Sequence, residues 1–148
     1  MNDRGLAIIR KNHRFLINNI ECDIIRHYLF EKNILTTDDM EVLGMRDKTR
    51  AFKNEILLLH ILPRRGPFAY AKFLESLKEE DHFSHVVDVL EATQLCDNDL
   101  KNDLQSERFA AIHREVDSMY ERLQSMNAGR NRANGNHVLL IVLFCSSV

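Results

Sequence analysis

This chain of 148 residues contains few cysteines, and their spacing argues against two classes of protein. Cys22, Cys96 and Cys145 are odd in number, lie far apart and form no CxxC pair. That pattern disfavours a disulfide framework and a cysteine-rich metal site. The simplest interpretation is that the thiols are reduced. We therefore expect a cytoplasmic protein, with the nucleus as the alternative location.

Long hydrophobic runs are also missing. Charged residues interrupt every short apolar stretch of residues 1–15, so we expect no secretory signal peptide there. Residues 138–145 (VLLIVLFC) form an apolar run of eight residues. A transmembrane helix needs about 20 apolar residues, so we expect no membrane span.

The chain has no excess of one charge. It has 20 Lys and Arg against 22 Asp and Glu, and a net charge of -2 gives no general attraction to nucleic acid or anionic lipid. It shows no glycine-rich phosphate loop, paired-carboxylate signature or Ser/His/Asp set, so we expect neither catalysis nor a cofactor. His82 and His85 lie three residues apart, but local spacing provides no third ligand, and we expect no metal site.

Strand-like alternation of apolar and polar residues is absent from the first 93 residues, where apolar residues recur at helical spacing. Thr36, followed by Asp38 and Asp39, predicts a capped helix start. The PRRGP stretch at residues 63–67 predicts the sharpest break, directly after a densely apolar helix that should form the centre of the core. The predicted helices cover about residues 6–20, with a bend near the middle, and residues 24–33, 36–44, 47–62, 67–77 and 83–90.

The pattern changes after residue 93. Composition predicts a linker over residues 94–105, an amphipathic helix over residues 106–126 and a flexible tail with a short apolar end over residues 127–148. The helix contains so few heptads that packing on its own domain, or fraying, is favoured over pairing with a partner helix. Its apolar residues have the 3, 4, 3, 4 spacing of a coiled-coil seam: Phe109, Ile112, Val116, Met119 and Leu123.

Two stretches resemble a known family. Residues 57–79 (LLLHILPRRGPFAYAKFLESLKE) resemble the caspase recruitment domain (CARD) family of the death-fold superfamily. Residues 10–36 are similar to the opening of the caspase-2 prodomain, and their end is similar to the CARD of the RAIDD adaptor. The resemblance covers about the first 93 residues. Its most specific motif, L-L-x-x-L-P-x-R-G-P-x-A-[FY], consists here of Leu58, Leu59, Leu62, Pro63, Arg65, Gly66, Pro67, Ala69 and Tyr70.

The resemblance implies an all-α fold, an antiparallel six-helix death-fold bundle over residues 1–93, without catalytic activity. The implied partners are an initiator caspase, a CARD adaptor or a second copy, in apoptotic or inflammatory signalling. Residues 94–148 contain no Q-A-C-x-G pentapeptide and resemble neither a caspase protease domain nor a death domain. Three interpretations stay open: a signal-relaying CARD, a CARD-only decoy inhibitor, and a short isoform or prodomain fragment of an initiator caspase.

Charge alternates in blocks along the CARD-like region. Residues 4–14 carry four bases and no acid, residues 21–41 six acids against two bases, and residues 46–65 six bases against two acids. The resemblance implies that helices one and four adjoin and helices two and three lie opposite, so we predict two complementary faces that bind other CARDs. For Arg65, bonding to carbonyls at the end of helix four is the alternative. The predicted basic face consists of Arg10, Arg14, Lys48, Arg50, Lys53 and Arg65, and the acidic face of Glu31, Asp38, Asp39 and Glu41.

Overall fold

The computed structural model describes the backbone of residues 1–101 and 103–145, and the side chains of residues 1–99, 107 and 109–130. The secondary structure of these ranges is helical, which confirms the predicted all-α fold. The α-helices are α1 (Asp3–Lys11), α2 (His13–Asn19), α3 (Cys22–Glu31), α4 (Thr37–Leu43), α5 (Arg50–Glu55), α6 (Ala69–Lys78), α7 (Ser84–Ala92), α8 (Asp97–Lys101) and α9 (Asp103–Cys145). A π-helical segment (Ile56–Ile61) and a 3-10 turn (Leu62–Arg64) continue α5, and a second 3-10 turn (Asp81–Phe83) precedes α7.

The bend predicted in the first helix is present at Asn12, which separates α1 from α2. Its backbone leaves the helical region, with φ -103° and ψ 13°. The Asn12 amide donates to the Ile8 carbonyl at 3.0 Å and to the Thr93 hydroxyl at 2.8 Å. The bend is therefore tied to the end of α7.

Local turn chemistry sets the other boundaries. Asn33 follows α3 with a φ of 58°, in the left-handed region that asparagine tolerates better than most residues. The Thr36 hydroxyl accepts from the Asp39 backbone N–H at 3.2 Å, and the Asp39 carboxylate accepts from the Thr36 N–H at 2.8 Å. This capping box starts α4 at the predicted place. Gly66, with a φ of 81°, turns the chain between the Leu62–Arg64 turn and α6.

The core is centred on the π-helical segment, which lies in the densely apolar helix predicted over residues 47–62 to form the centre of the core. Every side chain of Ile56–Ile61 is buried except that of His60. Removing such a set of large apolar side chains from water is the main favourable term in folding. The fully buried side chains packed into the same core include Leu16, Ile25, Leu29, Leu43, Phe73 and Phe83.

Helix occupies two segments for which composition predicted linker or flexible chain. α8 lies inside the predicted linker, and α9 continues through most of the predicted tail to Cys145, while residues 146–148 lie outside the described residues. Glycine costs about 1 kcal/mol relative to alanine in a helix, whereas extending an existing helix avoids the unfavourable nucleation step. Alanine and arginine, both good helix formers, alternate with the asparagines and glycines of residues 127–136. Across the described part of the chain, no helix is both long enough and apolar enough for a membrane crossing.

Candidate protein-interaction site

The α9 helix lies across the bundle, against the π-helical segment and α4. On its bundle-facing side, α9 buries Val116, Tyr120 and Leu123. Three further α9 side chains pack partly buried against the same core: Phe109, Ile112 and Met119. The predicted apolar stripe therefore packs on its own domain, the alternative favoured from the sequence. Residues 109–123 of α9, here named the docked segment, pass over several of the charged residues assigned to the two faces.

At its first turns, the docked segment covers the end of α1. The Arg10 guanidinium lies over the Phe109 ring, 5.5 Å from its centroid, and the His13 ring meets the same phenyl edge-on at 5.8 Å. Burial lowers the pKa of Arg10. Arg10, predicted for the basic face, is thus half-buried and faces an aromatic ring rather than open solvent.

Further along, an ion pair joins α9 to the Leu62–Arg64 turn, which follows the π-helical segment. The Arg64 guanidinium donates to both carboxylate oxygens of Asp117, at 3.0 and 2.5 Å, and Asp117 also contacts His60 Nδ1. The His60 ring stacks on Tyr120 with centroids 4.0 Å apart. Burial lowers the pKa of His60, against the opposing effect of Asp117. The bidentate geometry makes Arg64 and Asp117 a directional contact between bundle and tail helix.

Asp39 lies at the centre of a network that includes the docked segment. Its side chain is fully buried, receives a hydrogen bond from the Arg65 guanidinium at 2.5 Å and another from the Tyr120 hydroxyl. Burial, together with the bond to Asp39, raises the pKa of Tyr120. The sequence assigned Asp39 and Arg65 to opposite intermolecular faces; instead they pair with each other within one molecule. A buried carboxylate needs such partners because its desolvation is costly.

Lys53 also differs from the sequence prediction. Its side chain is buried, and its ammonium donates to both carboxylate oxygens of Asp23, at 3.2 and 2.9 Å. Lys53 therefore bonds α5 to α3 and is removed from the exposed basic face. Sequence blocks of like charge conceal such pairs, because Asp23 and Lys53 are far apart in the chain and adjacent only in the folded bundle.

The remaining predicted basic residues lie near the junction of α2 and α5. Arg14 and Arg50 are exposed, and Arg50 donates to the Asn18 carbonyl at 3.2 Å. Asn18 lies one turn after Arg14 on α2, and its amide donates to the Arg14 carbonyl at 3.0 Å. Lys48 is half-buried, with its ammonium 3.3 Å from Asp47. Arg14 and Arg50, here named the basic pair, are brought close together by the fold.

The predicted acidic residues other than Asp39 are exposed on α3 and α4. Glu31 ends α3, and Asp38 and Glu41 lie one turn apart on α4. Asp38 and Glu41 line a shallow groove whose other wall is α9, with Gln124 and Asn127. Glu31, Asp38 and Glu41 are here named the acidic group.

Sequence reasoning missed Asp117 and Tyr120, which make the polar contacts of the docked segment. Tyr120 follows the apolar Val116 by four positions, and Asp117 precedes Tyr120 by three, so Tyr120 neighbours the apolar stripe and Asp117 neighbours Tyr120 on the helix surface. That position indicated proximity to the bundle. Nothing in the sequence indicated Arg64 and Asp39 as their partners. Within the described residues, no group of three or more His, Cys, Asp or Glu side chains could hold a metal ion.

A profile of the caspase recruitment domain family matches residues 6–93. The chain belongs to the CARD family. The CARD is a non-catalytic interaction domain, as the sequence resemblance implied, and its helical bundle is the fold described above. No solved structure matches the chain significantly.

The CARD has a curated relative in caspase-2 from Gallus gallus, which is 27% identical over 81 residues. The alignment covers 53% of this chain and 19% of that protein. The chain thus spans only a small part of the length of caspase-2, in the prodomain region. The similarity therefore concerns the CARD.

Proposed function

We propose that this chain binds another CARD-containing protein of caspase signalling, an initiator caspase or a CARD adaptor, and recruits it into a shared assembly. A second copy of the chain is the homotypic form of the same partner, and the cytoplasm is the proposed location. Membership of the CARD family and similarity to the caspase-2 prodomain support this class of partner.

The separation of exposed charge on the bundle carries the proposal. The basic pair lies at the junction of α2 and α5, and the acidic group on α3 and α4. A molecule with separate surfaces of opposite sign is complementary to a partner built in the same way, and repeated head-to-tail contacts extend into an open assembly. Exposed ion pairs each contribute only about 0.2 to 1 kcal/mol, so several must act together and chiefly set specificity and encounter rate.

Charge reversal on each surface tests this function. Asp38→Lys with Glu41→Lys, and separately Arg14→Glu with Arg50→Glu, should weaken binding to a purified caspase-2 prodomain, or self-association, by about tenfold or more. Asp39 is left unchanged, because reversing a buried charge would unfold α4. Titration calorimetry measures the affinity, and sedimentation measures self-association.

The matched control reverses two exposed acids elsewhere on the surface, Glu79→Lys with Glu80→Lys at the end of α6. This control should bind as the wild type does, and all variants should keep the wild-type helical signal. Binding that survives reversal of both surfaces would contradict the assignment of the basic pair and the acidic group.

A CARD-only decoy is the second candidate, favoured by the cover that α9 places over part of the bundle. Arg10, Asp39 and Arg65 are all engaged beneath or beside the docked segment. A molecule with one contact surface hidden can add to an assembly through the other surface and then prevent extension. Adding the purified chain to polymerising caspase prodomain distinguishes the two functions: a decoy lowers filament growth in proportion to its concentration, and a relay does not.

A further inference from the structure

We propose that α9 is a displaceable cover, which competes with a partner CARD for the bundle face formed by α1, α4 and residues 60–65. The proposal rests on the CARD-binding function proposed above and describes how that function is regulated. The competing ligand is a CARD surface, because the residues under α9 belong to the same charge blocks as the exposed ones.

The docked segment covers one continuous band of the bundle. It begins at Arg10, passes His60 and Arg64, and ends where Asp39 of α4 pairs with Arg65. A helix rises about 1.5 Å per residue, so residues 109–123 extend about 21 Å along this band. A partner that requires Arg10 or Arg65 cannot reach them fully while α9 is docked.

The CARD profile ends before α9 begins. The family match stops at residue 93, and α9 starts at Asp103, so the covering helix is an addition to the domain rather than one of its six helices. The bundle centre consists of residues within the matched region. Displacement of α9 therefore leaves the CARD core in place, and only the band beneath it changes its exposure.

Docking also leaves polar atoms poorly satisfied, which favours reversibility. Arg10 Nε, His13 Nε2, Arg65 Nε and His113 Nε2 are buried at or near α9 and have no hydrogen-bond partner within the described residues. Those that α9 itself buries oppose docking, because a buried polar group without a partner loses its hydration without compensation. Water or a partner CARD can satisfy these atoms once the helix leaves.

A short connection keeps the displaced helix close to its binding site. The Lys11 ammonium donates to the Gln94 carbonyl at 2.8 Å and to the Asp99 carboxylate at 2.9 Å, which holds α8 against α1. A tethered helix rebinds at a high effective concentration. A partner must therefore outcompete it, and the cover raises the concentration threshold for CARD assembly.

Reversing the charge of Asp117 tests the cover. Asp117→Lys places a cation against Arg64, and Glu121→Lys, on an exposed position of the same helix, is the matched control. Asp117→Lys should tighten binding to the purified caspase-2 prodomain by about tenfold, and Glu121→Lys should leave it unchanged. The charge-swapped double variant Arg64→Glu/Asp117→Lys should restore docking of α9, measured as slow amide hydrogen exchange of residues 109–123, a measurement that does not depend on Arg64 contacting the partner. Tyr120→Phe, which adds no charge but removes the bond to Asp39, should also tighten binding.

Each outcome decides between the proposals. Measurable binding that is equal in the wild type, Asp117→Lys and Tyr120→Phe overturns the cover and leaves the CARD-binding function intact. Weaker binding by Asp117→Lys, with an unchanged helical signal, also overturns it, since α9 would then form part of the binding surface. Absence of binding and of self-association in every variant, including the undocked ones, contradicts the CARD-binding function itself.

Discussion

Asn54 uses every hydrogen-bonding atom of its side chain inside the core. Its amide donates to the Ile17 carbonyl at 3.0 Å and to the Ile20 carbonyl at 2.9 Å, and its oxygen accepts from the Cys22 N–H at 3.1 Å. The side chain is fully buried. It therefore satisfies backbone groups at the end of α2 and the start of α3. Without the amide, these buried groups lose their hydrogen-bond partner.

Replacing Asn54 with alanine should lower the free energy of unfolding by about 2 to 4 kcal/mol, because three buried backbone groups lose their partners. Asn18→Ala, at an exposed position of α2, is the matched control and should change it by less than about 1 kcal/mol. Urea denaturation followed by circular dichroism measures both. A loss for Asn54→Ala no larger than that of Asn18→Ala would refute the bridging role.

For single residues, the sequence identified which side chains are charged but did not predict which of them are buried or paired. Asp38 and Asp39 are neighbours of identical chemistry, yet one is exposed and the other fully buried, because only Asp39 faces Arg65 and Tyr120. Likewise Arg50 is exposed, whereas Lys53 bonds Asp23. A charge count along the chain contains no information on these pairings, which depend on how helices cross.

Between helices, α1 and α6 approach each other at Gly5. A methyl group at this position would lie 2.6 Å from Cβ and 2.7 Å from Cγ of Tyr70, closer than packed carbon atoms come. On α9, no atom of the described residues lies within 4 Å of the corresponding position at Gly129. The two glycines therefore form a matched pair, one at a helix crossing and one on an open helix surface.

Gly5→Ala should destabilise the fold by about 1 to 3 kcal/mol, the usual cost of overpacking. Helix propensity alone favours alanine by about 1 kcal/mol, so the steric term has to exceed that gain. Gly129→Ala should leave the melting temperature unchanged or raise it. Thermal denaturation of the two variants checks the sign, and an increase in melting temperature for Gly5→Ala would show that α1 and α6 separate without cost.

Helix starts and ends were the most predictable elements. Thr36, Asn33 and the PRRGP stretch act through their immediate neighbours, and the structure places a cap, a left-handed turn and a chain reversal at them. The extent of α9 was not predictable in the same way. The asparagines and glycines of residues 127–136 disfavour helix individually, but a helix already nucleated and packed upstream continues through weak formers.

For the molecule as a whole, three histidines link the docking of α9 to pH. His13 and His60 belong to the bundle and His113 to α9, and burial lowers the pKa of each. Charge repulsion from His113 also lowers the pKa of His13, and repulsion from Arg10 also lowers the pKa of His113. The other charged groups that face the three histidines are Asp39, Glu55, Arg64 and Asp117.

The direction of the pH effect follows from these lowered pKa values. A histidine with a lower pKa in the folded state binds fewer protons there than in the unfolded state, so stability decreases as the pH falls through the ordinary histidine range near about 6.5. Burial raises the pKa of Glu55, which opposes the trend only at more acidic pH. We expect the free energy of unfolding to fall between about pH 7.5 and about pH 6.

The double variant His13→Gln/His113→Gln should reduce this pH dependence, because it removes two of the groups that acquire charge between α9 and the bundle. His82→Gln, at an exposed position, should retain it. Urea denaturation at the two pH values gives the comparison. If the cover also controls binding, the wild type should bind the caspase-2 prodomain more tightly at about pH 6, whereas an undocked Asp117→Lys variant should bind equally at both. Equal pH dependence in the wild type and the double histidine variant would show that these histidines do not couple protonation to stability.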